Sequence, residues 1–298
     1  MKNTPFIAVT SQPVPYHADT TAIFNTLCKQ NSNSLLLDSA EIGSKNSLQS
    51  LILINATVKI TCLGNQVTFR ALNANGKQVL NEIHPALSQL GIVSAVNFDN
   101  EFSVQFAPLD NQLDEDSKLQ AATIFDGLRV ISNHYQHSST PVFLGGLFAY
   151  DLVANFIPMQ GVELKDDGIT CPDYSFYLAE NLITIDHQTQ QATLKSFCFS
   201  QEEQVEVAKT ALSIAQKLRN IDGVLSIKAA SDEVSTNFED PEFTGIVKAL
   251  KHHINIGDVF QIVPSRRFSL ACPNTLASYA QLKHNNPSPY MFYMNDED

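Results

Sequence analysis

Apolar residues recur along this chain in two rhythms, one near 3.6 residues and one of two, and the switches between them predict its elements. Residues 19–29 predict a helix, with Asp19 able to cap it and Ile23, Phe24 and Leu27 on one face. The polar run Asn31–Ser34 ends it. Leu35, Leu36 and Leu37 then read as a short buried strand running into Asp38 and Ser39. Leu51–Ile54 and the alternating Val58–Thr61 predict two strands. Gly64-Asn65 predicts a tight hairpin turn into a return strand over Val67–Ala71, punctuated by Asn73–Gly76. Residues 107–118, with Pro108, Asp110, Asp114, Glu115 and Asp116, read as a solvated loop, and Leu119–Val130 as a buried helix.

Val142–Ala149 is apolar around Gly145-Gly146, which suggests a bulge or a close backbone approach. Phe176–Glu180, Leu182–Asp186 and Ala192–Phe199 read as three strands. Gln201–Arg219 predicts a long helix with Val205, Ala208, Leu212, Ala215 and Leu218 along its buried side. Asp240-Pro241-Glu242 opens another, with Phe243, Ile246, Val247, Leu250 and Ile254 as its stripe and Gly257 as its end. Val259–Val263 reads as a strand, Asn274 or Thr275 caps a helix ending before Pro287, and Tyr290–Met294 reads as a final strand. Helices thus alternate with strands that cluster in hairpins. The class predicted is α+β with largely antiparallel sheets and packed helices. Residues 220–240 are polar and acidic apart from Val224–Ile227. The predicted domains are therefore 1–225 and 241–298, with a linker over 226–240.

Composition narrows the partners. The apolar fraction of 44% is enough for a sizeable core. A formal charge of −12 argues against nucleic acid and against anionic membranes. Five dispersed cysteines without a C-x-x-C fit buried thiols in a reducing compartment. The start of the chain has no signal-peptide pattern, and a cytoplasmic location is expected.

The general catalytic motifs are absent: no P-loop, G-x-G-x-x-G, H-E-x-x-H or G-x-S-x-G. His252 and His253 are adjacent and point apart on a helix, which suits surface positions better than a metal site. Arg266-Arg267 could grip a carboxylate, although exposed strand-end charges are the plainer reading. Pro287-Ser288-Pro289 is stiff and presents Tyr290 and Met291 in a fixed extended form.

Two runs carry a family resemblance: GDVFQIVPSRRFS from Gly257 and NPSPYMFYM ending at Met294. Together with LLLDSAEI (Leu35–Ile42), GGLFAYDLV (Gly145–Val153) and CPDYSFYLAE (Cys171–Glu180), they resemble the large, chorismate-binding subunit family of anthranilate synthase along the whole chain. The resemblance implies the first step of L-tryptophan biosynthesis: chorismate and ammonia give an aminodeoxyisochorismate intermediate, and pyruvate is eliminated to leave anthranilate. It implies Mg²⁺ as cofactor, a glutamine amidotransferase subunit as ammonia source, a heterotetramer, and feedback inhibition by L-tryptophan. Carried over by position, the inhibitor site falls on Ser39, Pro289, Tyr290 and Met291, with Asp38 and Lys45 as weaker candidates. The family's usual Glu is Asp38 here, one methylene shorter. Segments resembling GASPE, PIAGT and H-x-M-x-x-D-L-x-R-N-D are missing. No catalytic residue or metal ligand is therefore expected in this chain. The expectation is a truncated catalytic half, with the Mg²⁺ ligands beyond residue 298. A sister aminodeoxychorismate synthase and a non-catalytic tryptophan-binding regulatory module are the competing readings.

Overall fold

The structure, a computed structural model, describes residues 5–39, 48–97, 100–108, 114–138, 140–157, 171–221, 225 and 233–297. In chain order the elements are β1 (Ala8–Val14), α1 (Thr20–Cys28), β2 (Ser34–Asp38), β3 (Gln49–Leu63), β4 (Gln66–Ala71), α2 (Ala74–Leu87), β5 (Ile92–Asn97) and β6 (Glu101–Gln105). There follow α3 (Glu115–Gln120), α4 (Asp126–His134), β7 (Leu144–Phe148), a 3₁₀ turn (Tyr150–Asn155), β8 (Tyr174–Asp186), β9 (Gln191–Cys198) and α5 (Gln204–Lys217). The remainder is β10 (Val234–Thr236), α6 (Asp240–Asn255), β11 (Phe268–Leu270), α7 (Thr275–Asn285) and β12 (Met291–Asn295). Contacts group the chain into two compact units, one of Met1–Val224 with Asn286–Asp298 and one of Leu225–Asn285. Residues 226–232 of the expected linker lie outside the described residues.

The first unit is built on a ten-stranded sheet in the order β1-β9-β8-β3-β4-β6-β5, with β7 also on β8 and β12-β2 on β3. Every described pairing is antiparallel, as the clustered hairpins predicted. β3 and β8 are long because each serves two partners on its far edge. β3 takes β2 near its start and β4 near its end, while β8 takes β7 and then β9. The sequence reading broke both strands in two, at Asn55–Thr57 and at Asn181. The structure keeps each continuous and puts its register shifts there, between Leu53 and Val58. The buried polar pair is satisfied across the sheet: Asn181 Nδ2 donates to Asn55 Oδ1 at 3.3 Å, and Ser196 Oγ donates to Asn181 Oδ1 at 2.7 Å.

The hairpin turn forms as predicted, with Gly64 at φ +58°. Asp19 caps α1, its Oδ1 accepting from Thr21 N and Ala22 N at 3.0 and 3.1 Å. The core lies between the sheet and its helices and includes Val58, Ile60, Phe69, Phe102, Val79, Ile83, Ile131 and Tyr135. The end of the chain is fastened by charge. Asp296 accepts from the buried Lys59 ammonium and from the Tyr177 hydroxyl, and Glu297 pairs with Arg70.

Several expectations fail for identifiable reasons. β1, β5 and β6 were not read from the sequence, and Asn73–Gly76 is the cap and first turn of α2 rather than a break. Gly76 is there because α2 crowds β3: a Cβ would sit 2.0 Å from the Thr57 carbonyl oxygen. Gly146 answers the same need, since a Cβ would meet the Ser175 carbonyl oxygen at 2.1 Å. The helix expected over Leu119–Val130 is split. α3 stops at Gln120, and α4 restarts at Asp126, whose Oδ2 accepts from Thr123 N at 2.7 Å. α5 buries Val207, Ala211 and Ile214; of the expected stripe Leu218, at its C-cap, is buried, while Val205 and Leu212 are 63% and 59% exposed. No strand forms over Val259–Val263. The strand in that part of the chain is β11, where β10 supplies a ladder partner.

Candidate functional site

Antiparallel pairing brings together two stretches that are more than 250 residues apart. β12 runs along β2 with Met291 opposite Asp38 and Phe292 opposite Leu37, and β2 lies beside β3 with Leu37 opposite Leu51. Opposed residues share a face of the sheet. Leu37, Leu51 and Phe292 therefore face one way, and Leu36, Asp38, Met291 and Tyr293 the other. The second face lies under α1, where the Phe24 and Tyr293 rings meet edge to face at 5.3 Å.

A cavity of about 550 Å³ opens at this end of the sheet, lined by Leu37, Asp38, Ser39, Gln49, Leu51, Pro289, Tyr290, Met291 and Phe292. Ser39, Asp38, Pro289, Tyr290 and Met291 from the sequence reading all lie on it. Lys45 lies outside the described residues. Leu37, Gln49, Leu51 and Phe292 were missed. The signal for them was the strand register, since any residue paired with Leu37 must flank whatever Ser39 lines. The walls are mainly apolar, and Tyr290 and Phe292 leave 81% and 56% of their surface exposed, so an apolar ligand group would find uncovered aromatic rings there.

Asp38 is buried at the closed side. Its Oδ2 accepts from Thr20 Oγ1 at 2.8 Å and its Oδ1 from Ser50 Oγ at 2.6 Å. Ser50 Oγ also lies 2.9 Å from His187 Nε2, and the Tyr16 hydroxyl lies 3.3 Å from His187 Nδ1. The His187 loop is itself fixed: Asp186 Oδ1 accepts from Gln188 N at 2.9 Å and Thr189 N at 3.0 Å, and these bonds hold the exposed Asp186 carboxyl below its ordinary range.

Among the described residues no group of three or more His, Cys, Asp or Glu gathers as a metal centre. All five cysteines are free thiols. Burial pushes Cys28 and Cys62 up to about 12, which makes them inert, while Cys171 and Cys272 are exposed, contrary to the expectation of buried thiols. His252 and His253 are exposed as expected, with His253 Nδ1 2.8 Å from Asp258 Oδ2. Arg266 is not a free strand-end charge: Nη1 pairs with Asp240 at 2.6 Å, and its guanidinium lies over the Phe268 ring at 4.7 Å. No described helix is long and apolar enough to cross a membrane.

The comparisons with known proteins agree in kind. The chain is 86% identical over 293 residues to anthranilate synthase component 1 of Haemophilus influenzae, covering 98% of this chain and 57% of that protein. It is 43% identical over 307 residues to anthranilate synthase component 1 of Vibrio cholerae, covering all of this chain and 57% of that one. The chain thus spans little more than half the length of the curated relatives it matches. Among solved structures, anthranilate synthase component I from Streptococcus pneumoniae superposes with a TM-score of 0.51 at 18% identity over 84% of this chain and 48% of that one, a likeness of fold. Residues 78–298 match the family described as chorismate binding enzyme. The chain belongs to that chorismate-binding enzyme family.

Proposed function

We propose that this chain is the amino-terminal portion of an anthranilate synthase component I, and that the cavity at the β2–β12 end of the sheet binds L-tryptophan as feedback inhibitor. The observation that carries the reading is the 86% identity to a protein of that name along 98% of the chain. The reaction converts chorismate and ammonia to anthranilate, pyruvate and water. A glutamine amidotransferase subunit delivers the ammonia, in the cytoplasm. In this reading residues 1–225 form the amino-terminal domain, 226–240 the linker, and 241–298 the start of the chorismate-binding domain in sequence, although Asn286–Asp298 packs with the first compact unit.

Mg²⁺ is the cofactor the reading calls for, where it would neutralise a substrate carboxylate. The described residues offer no ligand cluster for it, so no step is assigned to this chain's side chains through the metal. What these residues can do is hold an amino acid. The cavity volume of about 550 Å³ lies in the range that suits a small ligand. Leu37, Leu51 and Phe292 provide an apolar wall for an indole, the Ser39 hydroxyl provides a donor for a carboxylate, and Pro289, Tyr290 and Met291 line the cavity beside them.

The test uses the protein purified from its source. Anthranilate fluorescence is followed from chorismate, ammonium and Mg²⁺, with and without L-tryptophan. Anthranilate formation suppressed by L-tryptophan is expected. Accumulation of aminodeoxychorismate, or formation that L-tryptophan leaves untouched, would overturn the corresponding part of the reading. Ser39→Ala is expected to raise the L-tryptophan concentration for half-inhibition by about tenfold, the loss of one hydrogen bond to a charged group.

A further inference from the structure

Asp38 stands beside the cavity, and the direct assumption is that its carboxylate takes the ammonium of an amino-acid ligand. The geometry points elsewhere. Both carboxylate oxygens already accept hydroxyl protons, from Thr20 on α1 and from Ser50 on β3. The side chain is only 5% exposed and lies on the α1 side of the sheet, opposite the face that carries Leu37, Leu51 and Phe292. A β-strand sends successive side chains to opposite faces, so the Asp38 side chain points away from the face of Leu37.

The partners form a continuous hydrogen-bonded chain. An ionised carboxylate only accepts, so the Ser50 proton goes to Asp38. Ser50 Oγ must then accept from His187, whose Nε2 carries the proton at 2.9 Å. His187 Nδ1 lies 3.3 Å from the Tyr16 hydroxyl. The chain links Tyr16 just beyond β1, α1, the end of β2, the start of β3 and the β8–β9 turn. Its central members, Asp38 and Ser50, are flanked by the cavity residues Leu37 and Ser39 and by Gln49 and Leu51.

We infer that Asp38 is a positioning residue, not a ligand contact, and that Thr20, Ser50 and His187 act with it to fix where Ser39 and Leu51 stand in the cavity. The inference rests on the tryptophan-site reading above and adds three residues to it.

Titration of two ligands into the chain and its variants tests it. L-tryptophan and indole-3-propionate differ by the ammonium group alone, so variant and ligand form a double cycle. If Asp38 positions, Asp38→Asn weakens both ligands by the same factor, about tenfold for loss of charge-assisted anchoring. Ser50→Ala does likewise, and Ser50→Thr, which keeps the hydroxyl, restores binding. His187→Phe weakens both ligands by a smaller, equal factor. If Asp38→Asn weakens L-tryptophan and leaves indole-3-propionate unchanged, the carboxylate meets the ammonium and the inference is overturned. Should Asp38→Asn fail to melt cooperatively, the Ser50→Ala and Ser50→Thr pair decides by the same comparison. Equal affinity of wild type and Ser50→Ala for both ligands overturns it too. Failure of the unaltered chain to bind L-tryptophan would sink the tryptophan-site reading itself, an outcome distinct from all of these.

Discussion

α5 and α6 have similar lengths and similar apolar stripes, and they end in different surroundings. α5 lays Val207, Ala211 and Ile214 into the core beside β9. α6 has the better local start. Its Pro241 stands in the first turn, and the Glu242 carboxylate accepts from Glu239 N at 2.8 Å, half of a capping box. Yet no residue of α6 is buried, and Phe243, Ile246, Val247 and Leu250 are only partly covered. Local chemistry decides where a helix begins. Burial is decided by what stands across from it, which no window of sequence contains.

The largest contrast expected is between the sheet core and α6. Phe69 is fully buried and stacks on Phe102 with ring centroids 5.2 Å apart. Phe69→Ala should cost about 3–5 kcal/mol of unfolding free energy in a denaturant titration. Val247→Ala in α6 should stay within about 0.5 kcal/mol, because little packing is lost and Ala is the better helix former. Comparable costs at the two sites would break the comparison.

Within α5 a second pair sharpens it. Ile214→Ala should cost about 2–4 kcal/mol, and Leu212→Ala, two residues away on an exposed face, within about 0.5 kcal/mol. The reverse ranking in thermal melts would mean that the helix turns its other stripe inward.

The α5 pair also marks how far the sequence could be read. Two interleaved stripes, Val205-Ala208-Leu212 and Val207-Ala211-Ile214, were equally good helical faces, and packing against β9 and α1 chooses between them. Some caps and turns were legible because their causes are local: Asp19, the Gly64 turn and the strand at Leu35–Leu37 stand where they were read, whereas α6 is capped by Glu239, one residue before the expected Asp240. α2 was hidden because Gly76 and Pro85 look like breakers. The glycine is instead demanded by the Thr57 backbone, a long-range reason. The meeting of Ser39 with Pro289–Met291 came from resemblance alone, since loop composition cannot announce a pairing across so many residues. The buried chain behind Asp38 was illegible for the same reason: Tyr16, Ser50 and His187 share no motif and meet only through the sheet register.

The smallest expected effect is a slope rather than a midpoint, and it compares the buried carboxylate of Glu180 with the half-buried one of Glu82. Burial raises Glu180 above the ordinary value, and the bonds from Asn75 and Asn73 only partly offset it. Burial would raise Glu82 as well, but bonds from His134 at 2.9 Å, Gln78 at 2.8 Å and Tyr135 at 3.0 Å outweigh it and hold that carboxyl below 4.5. The signs are opposite. Glu82 binds its proton less readily folded than unfolded, so its stabilisation is present above the unfolded value and is lost as pH falls through the folded one. Glu180 binds its proton more readily folded, so its ionisation detracts from stability as pH rises from the unfolded value through the folded one. In unfolding titrations from pH 6 downward, Glu82→Gln should lie below wild type at pH 6 and converge on it as the acid limb is descended. A gap that stays constant with pH would mean that the His134–Glu82 link between α4 and α2 acts as packing, with no charge in it.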